Sequence, residues 1–151
     1  MSLRPFQPDD LPELMSWFNS EAELLLWAGP GFRFPFDTAS FTQDLNYQQL
    51  ASYVLQADDG TLLGFGQFSL QHGCCHLSRL VINPGMRGHG LIQILLLALC
   101  RTGQQQLNVP TVSLFVFNSN TAAVNAYLQA GFAQVRHPAL DNDFFCYMQK
   151  H

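Results

Sequence analysis

One stretch, VINPGMRGHGLIQILLLALC at positions 81–100, restricts the fold more than any other part of this sequence. The β-branched run that ends at Ile82 meets Asn83-Pro84-Gly85, a typical turn sequence, and an apolar helical pattern then begins at Leu91. The first N–H groups of a helix have no partner inside the helix, and the helix dipole places partial positive charge there. A strand-to-helix turn of this kind is either a packing turn or a cradle for phosphate.

The turn contains Arg87, Gly88 and Gly90, which suit a phosphate site, but glycines near helix ends are common and a packing turn explains these residues at least as well. Glycines let the backbone approach an anion, and arginine adds a fixed positive charge. Two well-known phosphate loops do not match. A Walker A loop requires Lys followed by Ser or Thr, and a dinucleotide fingerprint requires a third glycine where Gln93 stands, with an acidic residue about 20 positions later.

Charge is distributed unevenly along the chain. Residues 1–59 contain nine acidic residues, whereas residues 60–140 contain none and carry four arginines, although the whole chain has a net charge of −4. Such a segment is either buried core or the site of an anion. The acidic total argues against a nucleic-acid partner.

Periodicity predicts alternating strands and helices. We expect strands at residues 3–6, 52–57, 61–70, 74–82, 111–117, 132–135 and 144–148, the second to fourth forming an antiparallel meander. Helices are expected at residues 8–19, from Asp37 or Thr38 to about 50, at 91–101 and at 121–129, with a helical turn and a long loop over 21–36. The fold class is therefore α/β (α+β mixed), with a central, mixed, mostly antiparallel sheet of six to seven strands and helices on both faces.

The length of 151 residues predicts a single domain over positions 1–151. The start MSLRPFQPDD lacks an apolar leader region, and the longest apolar stretch is interrupted by Gln93, so neither export nor membrane insertion is expected. The four cysteines have no framework spacing, which favours reduced thiols and a cytoplasmic location.

The segment Arg87-Gly88-His89-Gly90-Leu91-Ile92 resembles the acetyl-CoA loop of the GNAT superfamily of N-acetyltransferases. That loop reads Arg or Gln, two variable residues, Gly, one variable residue, then Gly or Ala, and only Ile92 departs from it. A second similarity follows the strand at 112–117, where the superfamily has an Asn-x-x-Ala-x-x-x-Tyr-x-x-x-Gly-Phe helix. The matching residues here are Asn120, Ala123, Tyr127, Gly131 and Phe132.

The resemblance, which covers about residues 3–148, implies direct acetyl transfer from acetyl-CoA to a primary amine, without metal or a covalent enzyme intermediate. It makes Tyr127 the general acid toward sulfur. It also implies that the strand before the loop parts from its neighbour and exposes backbone groups to the cosubstrate. The implied acetyl-CoA-binding residues are Leu80, Val81, Ile82, Arg87, Gly88, His89, Gly90, Leu91, Ile92, Gln93 and Asn120.

The general base is not assigned. Some relatives have a Glu on the strand before the loop, and the comparable position here is His76. A carboxylate base would have to come from elsewhere, and the candidates are Glu21, Glu23, Asp141 and Asp143. A zinc site at His72, Cys74, Cys75 and His76 is not expected, because consecutive strand residues point to opposite faces.

The acceptor side is expected within residues 21–36, with Glu23 and Trp27 as substrate-binding residues. The aromatic residues there, Trp27 with Phe32, Phe34 and Phe36, suit an amine with an apolar portion, and core packing explains them equally well. The acceptor is an unidentified small molecule or peptide amine. Small domains of the resembled family often form homodimers, and the sequence leaves the oligomeric state open. The alternative function is a non-catalytic acyl-CoA-binding or regulatory domain.

Overall fold

A computed structural model of the protein describes residues 1–137, 139 and 144–151. Within these residues, strands and helices alternate along most of the chain. Their bounds are β1 Ser2–Pro5, α1 Leu11–Ser16, α2 Glu21–Ala28, α3 Thr38–Leu45, β2 Ala51–Gln56, β3 Leu62–Gln71, β4 Cys74–Ile82, α4 Leu91–Leu107, β5 Val112–Phe117, α5 Thr121–Gln129, β6 Ala133–Gln134 and β7 Phe145–Lys150.

The strands form one seven-stranded sheet in the order β1-β2-β3-β4-β5-β7-β6. Strands β2, β3 and β4 form the expected antiparallel meander. Among the strands of the described residues, only the central β4–β5 pair is parallel, and α4 connects its two strands. The predicted mixed, mostly antiparallel α/β sheet is confirmed.

Helices cover both faces of this sheet. Neighbouring strand residues point to opposite faces, so Val54 and Leu55 of β2 enter two different cores. Leu55 packs in the core that contains α4, whereas Val54 packs in the core formed by α1, α2 and α3. The expectation of helices on both faces is therefore correct.

Helix α4 is longer than the predicted residues 91–101 because Gly103 does not end it. A Cβ atom at Gly103 would lie 2.3 Å from Cys75 Sγ, so this glycine lets the helix approach β4. The helix ends at Asn108, which adopts a left-handed conformation with φ 53°. The prediction ended α4 too early because the close contact between Gly103 and Cys75 across the core cannot be read from the local sequence.

The segment at residues 21–36 also differs from its prediction, because it begins with the regular eight-residue helix α2. The Ser20 hydroxyl caps this helix by accepting the Glu23 amide, and Gly29, at φ 72°, ends it. The two neighbouring helices are shorter than expected. Helix α1 ends at Ser16, and α3, capped by Asp37, ends at Leu45 before the left-handed Asn46.

Candidate active site

The sheet divides at its centre, between β4 and β5. The two strands pair only from Cys75–Leu77 to Val112–Leu114, although β4 continues to Ile82 and β5 to Phe117. The second half of β4 therefore has no pairing with β5, as the resemblance implied. Its backbone groups on that side are available to a ligand.

A β-bulge shifts the same part of β4. Phe65 of β3 pairs with Val81, but Gln67 pairs with Ser78, so β4 contains an extra residue opposite Gly66. Arg79 lies in the bulge with a positive φ of 51°, which is uncommon for a residue other than glycine. Its carbonyl oxygen accepts a hydrogen bond of 2.7 Å from Trp27 Nε1, which connects α2 to the bulge.

A cleft of about 880 Å³ occupies the space between the parted strands and extends to α2, α4 and α5. His89 and Gln93 are not among the residues that line it. Gln93 instead donates from Nε2 to the Ala126 carbonyl oxygen at 2.9 Å, which ties α4 to α5. The other predicted site residues all line the cleft: Glu23, Trp27, Leu80, Val81, Ile82, Arg87, Gly88, Gly90, Leu91, Ile92, Asn120 and Tyr127.

The loop before α4 presents unpaired amides to this cleft. Gly88 and Gly90 have positive φ values of 86° and 72°, and no side chain caps the helix at Gly90. Within the described residues, the amides of residues 88–92 donate to no protein acceptor, whereas the Gln93 amide donates to the Gly90 carbonyl oxygen at 3.2 Å. Unpaired amides at a helix N-terminus, with Arg87 beside them, fit the diphosphate of acetyl-CoA.

Helix α5 forms the opposite wall and supplies Tyr127. Asn120 caps the helix through Oδ1, which accepts the Ala123 amide at 3.3 Å. The Tyr127 side chain is buried, and burial raises the pKa of its phenol to about 12. The phenol is therefore protonated at neutral pH and has a proton to donate.

The acceptor side combines one acidic group with helix α2. Glu23 lines the cleft and accepts the Asn19 amide at 3.3 Å, whereas Glu21 does not line the cleft. Trp27 stacks on Phe18 with ring centroids 4.2 Å apart. Of the two interpretations of Phe32, Phe34 and Phe36, the structure favours core packing over acceptor binding, because none of the three lines the cleft. Phe32 and Phe36 pack on buried Phe41 instead.

His76 lies on β4 and lines the cleft while remaining almost fully buried. Its Nδ1 atom lies 2.9 Å from the Ser113 hydroxyl oxygen. Burial, with smaller contributions from His137 and His72, lowers the pKa of His76 to about 4. The imidazole is therefore neutral at physiological pH. Asp141 and Asp143, the other base candidates, lie outside the described residues.

Three phenylalanines that the sequence did not suggest also line the cleft: Phe115, Phe117 and Phe145. Phe115 and Phe117 alternate along β5, and Phe145 of β7 pairs with Phe117. The alternating pattern VSLFVF placed the first two on one face. Only the register between β5 and β7 brings the third beside them.

Within the described residues, His, Cys, Asp and Glu side chains form no group of three or more that could bind a metal ion. No helix in that part of the chain has the length and apolar character needed to cross a bilayer.

A family model described as the acetyltransferase (GNAT) family matches residues 12–132, which include the parted strand, the amide loop and α5. The chain belongs to this family. As a member of the family, the chain is an acyltransferase that transfers an acetyl group from acetyl-CoA to an amine.

Solved structures of acetyltransferases share the fold. The spermidine N-acetyltransferase from Vibrio cholerae, in complex with CoA and spermine, is 18% identical with a TM-score of 0.77, and the match covers 99% of this chain and 94% of that one. The ribosomal-protein-alanine N-acetyltransferase from Brucella melitensis is 17% identical with a TM-score of 0.72, and the match covers 99% of both chains. At these identities the likeness establishes the fold.

Proposed function

We propose that this member of the family transfers the acetyl group of acetyl-CoA directly to the primary amine of a small molecule or peptide. The observation that carries the proposal is the set of unpaired amides at residues 88–92, in a loop whose Gly88, Gly90, Leu91 and Ile92 line the cleft that contains Tyr127. Acetyl-CoA supplies an acetyl group as a thioester. The fold then has to hold that group beside an amine, accept a proton from the amine and supply a proton to the departing sulfur.

The proposed binding roles follow from the geometry. The amides of residues 88–92 and the Arg87 guanidinium hold the diphosphate. The half of β4 that is not paired with β5, Leu80 to Ile82, offers backbone groups to the pantetheine arm and the acetyl carbonyl. Ile92 keeps its amide available, while its side chain packs against the core. Asn120 lines the cleft beside α5.

Proton movements are assigned to groups that line the cleft. The amine nitrogen forms a bond to the acetyl carbon as the carbon–sulfur bond breaks, so nitrogen loses one proton and sulfur gains one. The protonated Tyr127 phenol donates to the departing sulfur, and it regains a proton, directly or through water, as the acetylated nitrogen loses its own. An alkylammonium with a pKa of about 10.4 has to lose a proton first. His76 and Glu23 are the cleft-lining groups proposed to accept it, directly or through water.

Two measurements test this function. Acetyl-CoA and CoA should each raise the melting temperature, and a screen of amines should release free thiol from acetyl-CoA. A non-catalytic acyl-CoA-binding domain would show the first result without the second. The absence of both would contradict the proposal and its alternative together.

A matched pair of variants tests the loop itself. Gly90→Ala should reduce the stabilisation by CoA, because it alters the backbone beside the amides. Gly73→Ala is the control, since Gly73 in the β3–β4 turn has a similar φ of 75° and, as at Gly90, an added Cβ would meet no atom within 4 Å. Both variants should lose similar stability without ligand, and only Gly90→Ala should lose the response to CoA.

We also propose a cytoplasmic location, supported by four buried cysteines that form no disulfide. Burial raises the pKa of the Cys75 thiol to about 12, which leaves little reactive thiolate. The single-domain organisation and the homodimer remain proposals, and light scattering in solution would measure the number of chains in the assembly.

A further inference from the structure

We propose that the acceptor is a monoamine that carries an aromatic or other apolar group close to its amine, rather than a polyamine. This inference rests on the proposed function and specifies its substrate class. Two observations support it: the three phenylalanines in the cleft and the distribution of charge around them.

The three rings form a continuous surface, the phenylalanine wall, which we define as Phe115, Phe117 and Phe145. The Phe117 and Phe145 rings are stacked at 4.4 Å, and the Phe115 and Phe145 rings are 6.4 Å apart. The wall lies on one face of the sheet, because β5 residues 113, 115 and 117 share a face while Leu114 and Val116 face the core with α4.

Phe115 connects the wall to the interior of the cleft. Its ring centroid is 5.0 Å from that of His76, which pairs with Ser113 in the middle of the short β4–β5 pairing. Phe115 remains 37% exposed, so part of its ring is free to contact a ligand. Packing an apolar group on this ring removes further apolar area from water, worth roughly 25 cal/mol per Å².

The charges in the cleft do not suit a polycation. Glu23 is the one carboxylate that lines the cleft within the described residues, and the cationic Arg79 lines it as well. Arg79 is held in place, since Nη1 donates to Gln67 Oε1 at 2.9 Å and Cζ lies 5.1 Å from the Phe32 ring centroid. One ammonium has Glu23 as a partner, but among the described residues a second or third ammonium would find no further carboxylate in the cleft.

The test compares acceptors that differ in charge and apolar surface. Thiol release is measured with 2-phenylethylamine, a short peptide with an N-terminal phenylalanine, 1,4-diaminobutane and spermidine. We expect kcat/KM for the better aromatic amine to exceed that for either polyamine by at least about tenfold, the effect of roughly 1.4 kcal/mol of differential binding. Both 2-phenylethylamine and the peptide present an aromatic ring close to a primary amine. Comparing their kcat/KM values shows whether the preferred acceptor is a small free amine or a peptide N-terminus.

A variant pair identifies the wall as the cause. Phe115→Ala should lower kcat/KM for 2-phenylethylamine several-fold more than for ethylamine. Phe34→Ala is the control, because Phe34 has a similar exposure of 38% but does not line the cleft. Melting temperatures of both variants verify folding, and the ranking of amines by the unchanged protein is decisive in itself.

The outcomes separate the two proposals. A preference for spermidine or 1,4-diaminobutane, with active enzyme, overturns the inference and leaves the acetyltransferase function intact. Equal losses for all amines in Phe115→Ala would also overturn it. No thiol release with any amine, despite stabilisation by CoA, overturns both.

Discussion

At the scale of single residues, Tyr127 is the group whose chemistry is simplest to test. Tyr127→Phe keeps the buried ring and removes only the hydroxyl group that carries the proton. We expect kcat to fall by about 10²-fold or more, the usual contribution of general acid catalysis, while the stabilisation by CoA is retained. Steady-state kinetics and thermal shift measure the two effects.

The control for that substitution is Tyr147→Phe. Tyr147 is similarly buried, with 4% exposure against 8% for Tyr127, but it does not line the cleft. Its replacement should leave kcat almost unchanged. Equal activity in the two variants would remove Tyr127 from the proposed mechanism.

His76 should make stability depend on pH. Its pKa is about 4 in the folded chain and 6.5 in the reference state, so the unfolded chain binds more protons between these values. The free energy of unfolding therefore has its full value above pH 6.5 and decreases as the pH falls toward 4, by up to about 3 kcal/mol from this group.

The substitution His76→Gln removes that dependence and retains a hydrogen-bonding group near Ser113. Urea denaturation at pH 7 and near pH 4.5 should show a smaller loss of stability in the variant than in the unchanged protein. His89→Gln, at an exposed loop position, is the control and should follow the unchanged protein. Parallel losses in all three proteins would contradict the prediction.

At the scale of elements, local signals were predicted well and contacts across the core were not. Helix α5 was predicted with its observed bounds because its cap, Asn120, and the left-handed Gly131 that follows it are local features. The loop at residues 87–92 was also predicted from local features, namely its arginine and glycines directly before a helix. Helix α4 was predicted too short, because only its packing against Cys75 explains a glycine in its interior. The phenylalanine wall was missed because its rings come from β5 and β7, whose register the sequence does not state.

Gly103→Ala tests the close approach of α4 to β4. Alanine favours a helix by about 1 kcal/mol over glycine, but its Cβ would lie 2.3 Å from the fully buried Cys75 Sγ. We expect overpacking to prevail and the free energy of unfolding to fall by about 1–3 kcal/mol. Denaturant unfolding measures the change.

Gly31→Ala provides the comparison, since a Cβ there would meet no atom within 4 Å. That variant should stay within about 0.5 kcal/mol of the unchanged protein. A Gly103→Ala protein that is more stable than the original would mean that Cys75 and Phe68 move aside easily.

At the scale of the whole molecule, one sheet includes strands from Ser2–Pro5 to Phe145–Lys150, and this predicts that the chain unfolds as one unit. Trp17 and Trp27 both belong to the core formed by α1, α2 and α3, so tryptophan fluorescence reports on that side alone. Far-UV circular dichroism reports on all elements. The two transitions should coincide, and separate midpoints would contradict the single domain.

Within the described residues, three residue pairs join β4 to β5, so the two halves of the sheet are held together by a short stretch of pairing. A molecule of acetyl-CoA bound between the parted ends of β4 and β5 would contact both strands and replace the hydrogen bonds that the strands do not make to each other there. Amide hydrogens of β4 and β5 beyond this pairing should then exchange more slowly as the ligand concentration rises, while those of β1 and β2 hardly respond. Because CoA carries the same diphosphate and pantetheine arm, it should slow exchange in the same strands, and occupancy by either form of the cosubstrate would stabilise the centre of the sheet.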